Sequence, residues 1–192
     1  MTVLGRTPSQ TVGPYFSMRL SGPGENVLAG AKDSRRIRLS GAVYDGDGKP
    51  IDDALVELWQ ADAEGRYRHP ADNGGGALSE GFLGFGRSAI DAVIGLYWFD
   101  TVKSGRVVAP DGSLQAPHLS LVVQARGMLR PAFTRAYFPE ETTSNAEDFV
   151  LSRIPGERRR LLIAERDTGG GPPSYRFDIR LQGADEAVFF AF

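Results

Sequence analysis

The chain contains few side chains that could carry chemistry on their own. It has two histidines, His69 and His118, and no cysteine, so thiolate nucleophiles, thiolate metal sites and disulfides are excluded. Two imidazoles are too few for a common histidine metal site unless carboxylates or tyrosines join them. No serine lies in a nucleophile-elbow pattern, and no spacing of Asp and Glu singles out an acid/base pair. These residues alone therefore indicate no reaction, and His118 is expected as a hydrogen-bonded core residue.

Two glycine-containing motifs resemble ligand-binding loops but depart from them in detail. Residues 45–49 are similar to the start of a calcium loop, but its fifth position is Lys49, and Val56 stands where a bidentate glutamate is required. Residues 81–87 have the wrong glycine order for a dinucleotide fingerprint and lack its strand-to-helix context. We expect a tight turn at the first motif and a loop packed by its own phenylalanines at the second.

Charge and hydropathy exclude further classes of function. The 22 basic and 24 acidic residues nearly cancel, and the longest basic run, at residues 158–160, is expected on the exposed face of a helix. Residues 1–6 lack the apolar core of a signal peptide, and no later run could span a membrane. We therefore expect a cytoplasmic protein that binds neither nucleic acid nor membranes.

The elements that must position any site are mainly strands. Residues 37–44 alternate apolar and polar side chains, which is the period of a strand with one buried face. Two short helices are expected at residues 145–152 and 155–164, and long loops at residues 21–36 and 70–87. Strands without regular intervening helices favour an all-β fold, a β-sandwich, in one domain over residues 1–192. Further strands are predicted at residues 54–60, 95–99, 118–125, 134–138 and 175–181.

The N-terminal segment is unusual for packing alone. Residues 7–16 (TPSQTVGPYF) hold two prolines and a glycine, which forbid a continuous helix and predict an extended or turned arm that lines a neighbouring surface.

This arm and seven later motifs resemble, in order, the intradiol ring-cleavage dioxygenase family, and the resemblance covers nearly the whole chain. It implies the β-sandwich of that family, with residues 1–20 as an arm that reaches toward a partner chain. The later motifs are LVELWQADAEGRY at 55–67, FGR at 85–87, TVKSG at 101–105, APHLSL at 116–121, ARG at 125–127, RAYF at 135–138 and YRFDIRLQG at 175–183.

The resemblance also implies where iron ligands would stand. Catalytic chains of the family hold Fe(III) with two tyrosines and two histidines, a set that suits a hard cation. Here the matching positions are Tyr67, Val107, His118 and Ser120. Because valine cannot bind iron and serine cannot act as an imidazole ligand, the chain is expected to hold no metal and no catalytic residue, with a vestigial site. It resembles the alpha chains of two-chain members, whose beta chain holds the Fe(III).

In such alpha chains the arm and an arginine help to enclose the partner's site. The matching residues are Thr11, Gly13, Pro14, Tyr15 and Arg126, and Arg126 would hold a substrate carboxylate by charge-assisted hydrogen bonds. Tyr15 would either contact substrate or anchor the arm to the partner.

The implied function is that of a subunit in a hetero-oligomer of alpha–beta pairs. The complex would cleave 3,4-dihydroxybenzoate with O2 between its hydroxylated carbons to give 3-carboxy-cis,cis-muconate, and this chain alone would be inactive. Two other readings stay open: a β-sandwich scaffold or carrier module with no pocket role, and a metal enzyme that uses Tyr67, His118 and acidic ligands.

Overall fold

A computed structural model describes residues 5–13, 15–30, 33–72, 80–109, 111–169 and 171–191 of the chain. The described residues form two four-stranded sheets and two short strand pairs. The strands are β1 Arg36–Gly41, β2 Val43–Tyr44, β3 Leu55–Trp59, β4 Phe85–Ala89, β5 Tyr97–Val102, β6 Val107–Val108, β7 Leu114–Gln115, β8 His118–Gln124, β9 Ala132–Tyr137, β10 Glu165–Asp167, β11 Ser174–Arg176 and β12 Ile179–Arg180. The helices are α1 Phe16–Leu20, α2 Thr142–Glu147, α3 Phe149–Ser152 and α4 Gly156–Arg159, which continues as a 3₁₀ turn, Arg160–Leu162.

The two large sheets pack face to face around one core. The first has the strand order β10-β11-β1-β5 and the second β4-β3-β8-β9. Leu39 and Phe99 of the first sheet and Leu58 and Leu121 of the second are completely buried in the same cluster. The alternation seen in the sequence therefore creates two inner apolar faces, which pack as a sandwich. This confirms the predicted fold class.

The last predicted strand is broken in the structure. Tyr175, Phe177 and Ile179 are buried as the alternation indicates, but β11 pairs with β1 and β12 pairs with β2. Between them the Asp178 carboxylate accepts a hydrogen bond from the Ala42 backbone N–H at 2.9 Å. The chain thus changes partner strand at this point, and sequence periodicity does not report such a change.

Three further differences separate the expected and observed elements. The predicted helix at 145–152 is two helices, with Asp148 between them. Part of the expected loop at 70–87 is strand, because Phe85 begins β4, while Phe82 is buried as expected. The arm segment ends in a short helix, α1, that was not predicted.

Residues 45–49 form the expected turn, in which the Asp45 side chain accepts the Asp47 and Lys49 N–H groups at 2.9 and 2.8 Å.

In the part of the chain that the structure describes, no helix is both long and apolar enough to cross a bilayer.

Candidate functional site

One face of the second sheet carries His118 and Ser120, two of the residues that match the family's ligand positions. Ser120 on β8 lies directly opposite Trp59 on β3 and Arg135 on β9. Directly paired residues project to the same face of a sheet, and so does His118, two positions before Ser120. We name this set, together with Tyr67, the pseudo-site.

His118 is held as a neutral imidazole in the pseudo-site. Its side chain is 2% exposed, and Nδ1 lies 2.8 Å from the Ala116 carbonyl oxygen. Because a carbonyl can only accept, Nδ1 carries the proton and Nε2 is left as an acceptor. Nε2 is buried and has no hydrogen-bond partner among the described residues. Burial, with the nearby positive charge of Arg135, lowers the pKa of His118 to about 4.

Tyr67 is placed by the turn that precedes it. The Asp62 carboxylate accepts the backbone N–H groups of Glu64 and Arg66 at 3.0 and 2.9 Å. Gly65 has a φ of +82°, and a Cβ there would lie 2.0 Å from the Arg106 carbonyl oxygen, so the turn requires glycine. Beyond the turn the Tyr67 ring stacks on Trp59, with centroids 5.7 Å apart and an angle of 7° between planes.

The phenol of Tyr67 is also kept in its neutral form. Burial raises its pKa, although the positive charge of Arg135 acts in the opposite direction. A tyrosine ligand to iron must lose this proton. In the structure the Tyr67 ring packs against Trp59.

Arg135 supplies the positive charge of the pseudo-site. Its Nη1 donates a hydrogen bond to the Gln115 side-chain oxygen at 2.8 Å, and Gln115 pairs with Val107 across β6 and β7. Its charge acts on both Tyr67 and His118. Arg135 thus pairs with Ser120 and, through its hydrogen bond to Gln115, is connected to the strand pair that contains Val107.

These residues do not fit a ferric ion. Val107 offers no donor atom, Ser120 offers a neutral hydroxyl, and Arg135 lies directly opposite Ser120 with a permanent positive charge. Within the described residues, no group of three or more His, Cys, Asp or Glu side chains could hold a metal ion. The pseudo-site thus combines a hydrogen-bonded imidazole, a phenol stacked on Trp59 and a guanidinium bonded to Gln115.

The second set of expected site residues meets at the turn after β8. The Met128 N–H donates to the Ala125 carbonyl at 3.2 Å, which closes a turn with Arg126 and Gly127 at its corners. Gly127 has a φ of +87°, a conformation that L side chains rarely adopt. Its N–H donates to the Thr11 hydroxyl at 2.7 Å, so the arm lies against the turn that displays Arg126.

Gly13 and Tyr15, two further residues of the expected site, are exposed. Gly13 accepts a hydrogen bond from the Phe16 N–H at 3.2 Å, which turns the chain into α1. Tyr15 is 73% exposed. Pro14 lies outside the described residues. Thr11 and Arg126 are therefore brought to one surface, whereas no recorded contact of the described residues joins Tyr15 to Arg126.

Sequence reasoning missed two charged residues. Asp53 forms an ion pair with Arg126, and no local motif marks it. Arg135 stood within the RAYF motif, but only its pairing with Ser120 shows that it belongs to the pseudo-site.

Comparison with known proteins confirms the resemblance. The Dioxygenase family model (Dioxygenase_C) matches residues 12–183. The chain is 44% identical to the protocatechuate 3,4-dioxygenase alpha chain of Burkholderia cepacia, over 99% of both chains. It is 35% identical to the beta chain from the same organism, over 83% of this chain and 69% of the beta chain.

A solved structure agrees at the level of the fold. The intradiol ring-cleavage dioxygenase from Tetranychus urticae superposes with a TM-score of 0.64 at 18% identity, over 92% of this chain and 94% of the other. The chain therefore belongs to the intradiol ring-cleavage dioxygenase family, and its similarity to an alpha chain extends over almost its whole length.

Proposed function

We propose that this chain is the alpha, non-iron-binding subunit of a protocatechuate 3,4-dioxygenase. Intradiol dioxygenases use Fe(III), and a relative of this chain is a beta chain. In our proposal the beta partner holds the iron, and the two chains assemble as a hetero-oligomer of alpha–beta pairs. The observation that carries the proposal is the pairing of Ser120 with Arg135, which puts a hydroxyl and a cation where a catalytic chain needs ligands.

The proposed reaction is cleavage of 3,4-dihydroxybenzoate by O2 to 3-carboxy-cis,cis-muconate. The iron chemistry belongs to the partner chain, and this chain contributes binding and orientation. Arg126 is 59% exposed and would hold the ring carboxylate by charge-assisted hydrogen bonds. Thr11, Gly13, Pro14 and Tyr15 would form a wall of the pocket, since Thr11 is joined to the Arg126 turn.

The proposal is tested by the iron content of the chain purified alone and co-expressed with its beta partner. We expect no iron in the lone chain, whereas the complex should carry one ferric ion per alpha–beta pair and cleave 3,4-dihydroxybenzoate. Stoichiometric iron in the lone chain would contradict the proposal, because Tyr67 and His118 would then belong to a working metal site.

A scaffold with no pocket role is the second candidate. The observation that favours it is the ion pair of Arg126 with Asp53, because an arginine already paired within its own chain is an ordinary surface feature. The two candidates differ in whether changes at Arg126 or in the arm alter substrate affinity in the assembled complex.

A further inference from the structure

Asp53 and Arg126 are brought together by the pairing of two strands. Leu55, the first residue of β3, lies opposite Gln124, the last residue of β8. Asp53 stands two residues before this pair and Arg126 two residues after it. The antiparallel register therefore places the carboxylate and the guanidinium side by side at one end of the sheet.

The two partners differ sharply in exposure. The Asp53 side chain is 18% exposed and that of Arg126 is 59% exposed. Oδ2 of Asp53 is itself buried and has no hydrogen-bond partner in the described residues, so the ion pair with Arg126 is its recorded interaction. The carboxylate is thus largely buried, while the guanidinium reaches toward solvent.

The contact leaves the outer edge of the guanidinium open. The ion pair joins Asp53 to Nε of Arg126, on the side nearest the stem. No hydrogen bond to Nη1 or Nη2 is recorded from the described residues. These two nitrogens form the edge that receives a carboxylate through two parallel hydrogen bonds.

We propose that Asp53 is a positioning residue, which holds Arg126 through Nε so that its Nη1/Nη2 edge faces the carboxylate of the substrate. The inference rests on the proposed function. An unrestrained arginine loses rotamer entropy when its side chain is fixed. Because the ion pair with Asp53 restrains the side chain beforehand, part of this cost is absent when substrate binds.

Asp53 also carries a negative charge that repels the substrate carboxylate. Removing it would therefore release the arginine and relieve this repulsion, two effects of opposite sign on affinity. Asp52 offers a matched control, since it is the adjacent aspartate, is exposed and forms no ion pair with any of the described residues. Asp52→Ala removes the same charge without freeing Arg126.

The experiment measures kcat and KM of the reconstituted alpha–beta complex with Asp53→Ala, Asp53→Asn, Asp52→Ala and Arg126→Gln in this chain. We use 3,4-dihydroxybenzoate and, as a probe without the carboxylate, catechol. For Asp53→Ala we expect KM for 3,4-dihydroxybenzoate to rise about tenfold, with kcat within about twofold of wild type. Asp53→Asn keeps the shape of the side chain but loses the charge of the ion pair, so it should raise KM as well.

The other variants and the catechol probe separate the possible outcomes. Asp52→Ala should leave both constants unchanged, and the KM for catechol should not respond to Asp53. An unchanged KM in both Asp53 variants, or an equal rise for catechol or for Asp52→Ala, would overturn the positioning role. An inactive wild-type complex, by contrast, would overturn the proposed function itself. If the Arg126→Gln complex has the wild-type KM, Arg126 does not bind the substrate, and the positioning role of Asp53 is overturned as well.

Discussion

At the scale of single residues, Ser120 changes what its neighbour His118 can do. Both side chains lie on the same face of β8, and a serine leaves the imidazole without a companion ligand. The imidazole instead donates from Nδ1 to its own segment at Ala116 and is sealed from water. A histidine in such a place is a buried base that stays uncharged, and its burial should make the stability of the chain depend on pH.

We expect the free energy of unfolding to fall as pH drops from the ordinary histidine pKa of 6.5 toward the folded value of about 4. In this pH range the histidine binds a proton in the unfolded chain but not in the folded chain. The contribution of His118 to the free energy of unfolding is therefore fully present above pH 6.5 and is lost on acidification. Between pH 7 and pH 5 the loss should be roughly 2 kcal/mol. Urea unfolding of the full chain at both pH values measures it.

The comparison variant is His118→Asn, whose amide nitrogen can replace Nδ1 as donor to Ala116. This variant should be less stable than wild type at pH 7, but it should lack the decrease in stability between pH 7 and pH 5 that the histidine causes. His69→Asn, at the exposed histidine, should retain that loss. An equal loss in wild type and His118→Asn would mean that other groups cause the pH dependence.

How far the site could be predicted from sequence also differs from residue to residue. The prediction that Val107 and Ser120 cannot act as iron ligands rests on side-chain chemistry alone, because neither residue carries an imidazole or a phenol. Arg135 and Asp53 could not be placed in this way. Their roles depend on strand register and on a pairing between distant segments, and neither is encoded in local spacing.

At the scale of elements, Asp148 shows why one predicted helix became two. Its carboxylate is completely buried and caps α3 by accepting the N–H groups of Val150 and Leu151 at 2.8 and 2.9 Å. Its other oxygen accepts the Ala116 N–H at 2.7 Å. Apolar periodicity predicts that residues 145–152 are helical, but a side chain with two structural tasks interrupts the helix.

We expect Asp148→Asn to destabilise the chain by about 2 kcal/mol, measured by urea unfolding at neutral pH. Asparagine has a single acceptor oxygen. If that oxygen caps α3, the amide NH2 faces the Ala116 N–H and two donors meet in a buried place. The carbonyl oxygen of Ala116 accepts the hydrogen bond from His118 Nδ1. The change should therefore disturb the pseudo-site as well.

Asp111→Asn is the matched control for this experiment. Asp111 also accepts backbone and side-chain hydrogen bonds, from Ser113, but it lies at an exposed turn. Its substitution should leave the unfolding midpoint nearly unchanged. A loss of the same size in both variants would show that burial of Asp148 and its link to Ala116 do not matter.

At the scale of the whole molecule, the arm and the sandwich are weakly joined. The described arm residues before α1 are mostly exposed, and the recorded side-chain link to the body runs from Thr11 to Gly127. The sandwich, by contrast, has a continuous core from both large sheets. This division favours an arm that packs against another chain over an arm that stabilises the sandwich of its own chain.

Deletion of residues 1–15 should therefore separate stability from function. One exposed hydrogen bond contributes about 1 kcal/mol at most, so the unfolding midpoint of the truncated chain should change little. In the reconstituted complex, however, the proposed pocket wall would be missing, and we expect KM for 3,4-dihydroxybenzoate to rise. Steady-state kinetics beside urea unfolding of the same truncated chain measure the two effects.

Thr11→Val keeps the whole arm but removes the acceptor for the Gly127 N–H, so it should reproduce part of the KM increase by releasing the arm from the Arg126 turn. If the truncated chain instead retains wild-type KM and turnover, the arm is no pocket wall and the scaffold role gains support. A large loss of stability would have a different meaning, because the arm would then belong to the fold itself. Among the arm residues that the structure describes, none belongs to the sandwich core, and for this reason we expect the kinetic effect without the structural one.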